Sequence, residues 1–162
     1  MYGGTILGGQ YTVTWNGVAL GLMQGDEGVP TIVTRASARM VENTDGYGDG
    51  QLGGHYRGVR GRAMMRCLEY TAGVIAAMHP WGTDGAAGVV GRDLYDLAQS
   101  LVLTRVVGQS ASLVPATVTA LKALQAPDAD VTQKYGPLVR EAPLEFVLFL
   151  NGAAPGVLYT KT

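Results

Sequence analysis

Between residues 11 and 23 the run YTVTWNGVALGLM alternates apolar and polar positions on either side of Asn16-Gly17. Asn-Gly between such runs predicts a two-residue hairpin, because both turn positions need positive φ. GDEG at 25–28 marks a second turn. A longer run follows at 30–43, PTIVTRASARMVEN. A strand there puts Arg35, Ser37 and Arg39 on one face and Thr34, Ala36, Ala38 and Met40 on the other. VRGRAMMRCLEY at 59–70 reads as the return strand. Arg60, Arg62, Met64 and Arg66 share one of its faces, and Val59, Ala63, Met65 and Cys67 the other. Residues 30–70 therefore read as one large hairpin. Its tip is 45–58, DGYGDGQLGGHYRG, with six glycines in fourteen positions.

The period changes at TAGVIAAMHPWG, 71–82. Thr71 suits an N-cap, Ala72 to His79 give about two helical turns, and Pro80 ends them. Residues 94–108 lead into a strand near 100–107, and ATVTALKALQ (116–125) and APLEFVLFLNG (142–152) supply the last two. Pro127, Asp128 and Asp130 interrupt the chain between them. Six or seven strands and one short helix at this spacing predict a mainly β protein. The expected form is an antiparallel sandwich or barrel with a long glycine-rich hairpin arm. With 162 residues and no dividing linker, 1–162 reads as one domain.

Composition changes the picture in one respect. Only 15% of residues are charged while 24 are glycine, against about 25% charged in ordinary soluble domains. A surface largely covered by other subunits needs fewer solvating charges. The charge is also unevenly placed. Residues 35–66 hold six arginines against three acids, and 67–162 hold six basic against eight acidic residues. Segments of opposite sign suit contact between copies. A net charge of −1 gives no global signal for nucleic acid. The single cysteine, Cys67, sits in a strand and reads as a small buried hydrophobe. The first ten residues, MYGGTILGGQ, lack the basic and apolar regions of a secretory signal, and no apolar run reaches membrane-helix length.

Chemistry-bearing patterns are scarce. His55 and His79 have no Cys, Asp or Glu at metal-ligand spacing, and His79 reads as a helix C-terminal cap. GQSAS around Ser110 lacks the closing glycine of a nucleophile elbow. GYGDGQLGG has no Gly-Lys-Ser/Thr after it, and no glutamate closes a calcium loop on Asp45 and Asp49. The residues therefore predict neither an enzyme nor a cofactor site. The glycine-rich tip reads instead as an inter-subunit assembly loop, with Tyr47, Gly48, Asp49, Leu52, His55 and Tyr56 as contact residues. Arg35, Arg39, Arg60, Arg62 and Arg66 are expected to meet acids of adjacent subunits, among them Asp93, Asp96, Glu141 and Glu145.

In their order and spacing these features resemble the phage tail tube proteins. YTVTWNGVALGLMQGDEGVPTIV is similar to the family's opening strands and turns, and NTDGYGDGQLGGHYRGVRGRAMMRCLEYT to its long strand pair with a glycine-bearing loop. DLYDLAQSLVLTRV and VTALKALQAPDADVTQKYGPLVREAPLEFVLFLNG resemble its closing strands, with Lys122 to Pro127 and Arg140 to Pro143 at the two junctions. The resemblance spans residues 11–152 and leaves an N-terminal arm, 1–10, unmatched. It implies a β-sandwich with one helix, built into hexameric rings that stack as a hollow tube. It further implies a virion structural protein, assembled in the host cytoplasm, that passes DNA non-specifically during ejection. The tail terminator, tape measure and tip are the implied partners, with no membrane and no cofactor. A passive conduit needs a neutral or acidic bore, for which Asp128, Asp130 and Glu145 are candidates. A small soluble β-barrel that binds an apolar ligand is the alternative reading.

Overall fold

A computed structural model of the chain describes residues 11–22, 30–42, 51–105, 115–136, 141–152 and 155–162. In chain order its elements are β1 (Tyr11–Trp15), β2 (Val18–Leu22), β3 (Thr31–Glu42), β4 (Gln51–Cys67), α1 (Ala72–Met78), α2 (Leu94–Leu97), β5 (Gln99–Arg105), β6 (Thr117–Gln125), β7 (Ala142–Leu148) and β8 (Thr160–Lys161). The strands form one antiparallel sheet in the order β2-β1-β5-β6-β7-β4-β3, with β8 paired to β6. The mainly β architecture expected from the alternation is present, carried by a single sheet rather than by two separate ones.

Local chemistry accounts for the first elements. Asn16 and Gly17 both take positive φ, 52° and 73°, and join Trp15 to Val18. The turn leaves Tyr11, Val13 and Trp15 on the buried face of β1. The Thr71 hydroxyl accepts a hydrogen bond from the Val74 amide at 3.2 Å and starts α1. At the other end the His79 amide donates to the Ile75 carbonyl. Val74, Ala77 and Met78 face inward from this helix.

Buried residues from β1, β2, β4, β5, β6, β7, α1 and α2 belong to one apolar cluster. A sheet that buries only one face around one cluster must curl on itself, and β2 at one edge comes near β4 close to the other. Phe146 is fully buried at the centre of β7, with its ring centroid 6.4 Å from that of Trp15. The Trp15 indole N–H donates to the Ala123 carbonyl at 3.0 Å, so the ring is buried without losing its hydrogen bond. Cys67 lies in the same core, and burial pushes its thiol up to about 12. The unfolded thiol ionises more readily than the folded one. Stability from this group is thus complete below pH 9.0 and declines as the pH rises toward about 12. Cys67 is expected to resist alkylation in the native protein and to react fully in denaturant. Rapid modification of the native protein at pH 8 would contradict this burial.

Four elements differ from the sequence expectation. β4 starts at Gln51, not 59, because its ladder to β3 continues through the glycines. A second helix, Leu94–Leu97, follows Asp93, whose side chain accepts from the Tyr95 amide at 2.8 Å. β7 ends at Leu148 rather than 152, with the Phe149 amide still donating to the Lys122 carbonyl at 2.8 Å in register with β6. β8 is a two-residue strand whose exposed side chains carry no alternation.

Candidate functional site

The candidate surface grows from an imbalance between two strands. β7 covers β4 only from Gly61 to Cys67. Beyond Gly61, β4 pairs with β3 alone, from Arg35↔Arg60 out to Glu42↔Gln51. The result is a two-stranded ribbon projecting past the sheet. Most of its described side chains on both strands are exposed.

One residue sets the ribbon's two faces. Ser37 opposes Gly58 and Ala38 opposes Tyr56, so Arg57 is an extra residue in a β-bulge. Gly58 beside it has φ 116°, a conformation that side-chain-bearing residues rarely adopt. Beyond the bulge the parity of β4 is reversed. Tyr56 joins Ala36, Ala38, Met40 and Val59 on the face continuous with the core, and Met40 Sδ occupies the space above Gly54. His55 joins Arg35, Arg39 and Arg60 on the other. The ribbon is therefore apolar on one side and basic on the other, with Tyr56 70% and Met40 46% exposed.

The basic side is unbalanced. Arg35 and Arg60 stand directly opposite each other across the ladder, where like charges repel. Among the described residues no acid pairs with Arg35, Arg39, Arg57 or Arg60. Arg62, two residues further into the sheet, is different. It donates through Nη1 to Glu145 and through Nη2 to Asp128 within its own chain. Arg66 lies 3.9 Å from Glu141, again in the same chain. The acids expected from a neighbouring subunit are thus supplied internally at these two positions, because β7 places Glu145 and Pro143 opposite Met64 and Arg66.

The double bond to Arg62 has a consequence for acid. Arg62 holds the Asp128 carboxyl below its ordinary value. The folded state binds that proton less tightly than the unfolded one, so the contribution is present at neutral pH. It is lost as the pH falls through the carboxylate range. Both groups are substantially exposed, which makes the effect small. Asp128→Asn is expected to flatten the acid limb of a stability-versus-pH curve slightly and leave the neutral value almost unchanged. A large loss at pH 7 would mean the pair is a structural keystone.

The remaining sequence candidates fall in several places. Tyr47, Gly48, Asp49, the 1–10 arm and the GDEG turn lie outside the described residues, and of Leu52 only the backbone in β4 is described. Asp93 caps α2, Asp96 lies in its first turn, and Asp130 is exposed on the segment after β6. Asp130 lines an open groove of about 360 Å³ with Thr31, Met64, Arg66, Pro143 and Glu145. Spacing gave no sign of a cluster around His79. Its Nε2 lies 3.0 Å from Gln133 Nε2 and 3.2 Å from Asp84 Oδ1, tying the end of α1 to two loops. Among the described residues no three His, Cys, Asp or Glu side chains gather as a metal group, and no helix is long and apolar enough to cross a membrane.

No family model and no curated protein matches this chain.

Proposed function

We propose that this protein is a self-assembling structural subunit of the phage tail tube kind, stacking as hexameric rings into a hollow conduit for DNA. The ribbon carries this reading. A two-stranded hairpin without a covered face is marginal in water, and here one exposed face is apolar while the other holds arginines with no acid paired to them among the described residues. Both needs are met when the ribbon lies against another copy. The open groove sets Met64, Pro143 and Leu144 beside Arg66, Asp130 and Glu145, a mixed lining that suits a charged side chain with an apolar stem and favours assembly over the small-molecule barrel.

Under this reading the tube passes DNA without holding it, in the virion tail, alongside terminator, tape measure and tip proteins. Asp128 and Glu145 each face a guanidinium, which offsets the charge they would bring to a bore wall. Sedimentation velocity across rising protein concentration, with negative-stain imaging of the densest sample, tests the proposal. Rings or tubes are the expected result. A species that stays near 17.0 kDa throughout would overturn it.

A further inference from the structure

The face that carries the ribbon's arginines continues down the sheet and changes sign. At the projecting end stand Arg35, Arg39 and Arg60, with no acid paired to them among the described residues. At the other end Arg62 and Arg66 are outnumbered by Asp128, Asp130, Glu141 and Glu145. Asp130 has no hydrogen bond or ion pair among the described residues. Between the two ends Val33 and Met64 are 48% and 39% exposed on that same face. One surface thus holds unpaired cations, an apolar middle and an unpaired anion.

Among the described residues these charges find no partner on the same chain. Arg60 and Met64 are four residues apart on β4, about 13 Å along an extended strand. That span is beyond one side chain, and the groove opens past Met64. We infer that the groove lined by Thr31, Met64, Arg66, Asp130, Pro143 and Glu145 receives the ribbon arginines of a second copy of this chain. Its shape suits that occupant. Met64, Pro143 and Leu144 offer an apolar wall for the arginine methylenes. Asp130 offers carboxylate oxygens for the guanidinium, the geometry that arginine pairs with best, with Glu145, already bonded to Arg62, beside it. The inference rests on the self-assembly reading and adds the receiving surface to it.

Charge exchange between two variants tests it. The first carries Arg35→Glu and Arg60→Glu, the second Asp130→Arg, and Asp130→Asn serves as a milder control. All altered side chains are exposed, and thermal melts monitored by circular dichroism establish that each variant is folded. Each charge-reversed variant alone is expected to need at least about tenfold more protein to assemble, because like charges then meet at the contact. Asp130→Asn gives a smaller shift in the same direction. Mixed in equal amounts, the two charge-reversed variants recover assembly, since the acidic ribbon of one meets the basic groove of the other. Recovery on mixing supports the inference. If the wild type assembles and the variants assemble equally well alone, or the ribbon variant fails and mixing does not rescue it, the groove is not the receiving surface. If the ribbon variant assembles normally but loses salt-sensitive binding to duplex DNA, the arginines face nucleic acid and the inference falls. A wild type that never assembles overturns the functional proposal itself.

Discussion

Replacing residues 38–57 with Asn-Gly is expected to leave a folded monomer that no longer assembles. Ser37 and Gly58 are already opposed across the ladder, so a two-residue turn closes the shortened hairpin in register. The described side chains of the removed segment, 38–40 and 53–57, are all exposed, and none of them belongs to the core cluster. Monomer stability is therefore expected to change by less than about 1 kcal/mol, within the range of surface changes. Assembly loses its contact surface outright, so sedimentation should show one species near monomer mass at every concentration. Normal particles from the shortened chain would mean that copies meet elsewhere. A shortened chain that fails to fold would mean that the ribbon supports the domain.

The largest effect on stability is expected at Phe146. It is fully exposed to the core and closed to solvent, opposite Ala63 on β4 and Gln125 on β6, with Trp15 beside its ring. Phe146→Ala is expected to cost roughly 3–5 kcal/mol, through lost burial and the cavity left behind. Its neighbour Val147 is only partly buried on the opposite face of the same strand. Val147→Ala is expected to cost much less, about 1 kcal/mol. Urea unfolding of the two variants measures the contrast directly. Similar losses at both positions would mean that β7 is not sided in the way its burial pattern indicates.

What the sequence disclosed follows from how local each determinant is. The Asn16-Gly17 turn, the Thr71 cap and the two faces of β4 between 59 and 67 depend on neighbours a few residues apart, and all three are legible. The helix at Leu94–Leu97 is a single turn with too few residues to show a period. β8 owes its existence to the edge of β6, not to its own residues. The pairing of β1 with β5 joins residues some ninety positions apart, and nothing in either strand names the other. At the candidate surface, the arginine alternation and the exposure of Tyr56 and His55 could be anticipated. The internal partners of Arg62 could not, because they depend on the register of β7 against β4. The glycines suggested a loop from 45 to 58, yet from 51 onward hydrogen bonds to β3 hold them extended.

Arg57 imposes an arithmetic on the ribbon. It is the extra residue between two paired positions of the ladder, and the bulge it forms sets Tyr56 beside Met40 rather than Arg39. Its chemistry matters little for this purpose, so exchanging it for another residue keeps both sides intact. Deleting it joins Tyr56 to Gly58 opposite Ala38 and Ser37 in a regular ladder, so Tyr56 stays beside Met40 and His55 beside Arg39 without the bulge. Disulfide trapping between Met40→Cys and Tyr56→Cys is expected to succeed both with and without Arg57, and loss of the crosslink on deletion would mean that the pairing slips. Tolerance to change in this segment is thus a matter of pairing before identity: one residue can be taken up or released as a bulge, and only a slip of the ladder exchanges the two faces.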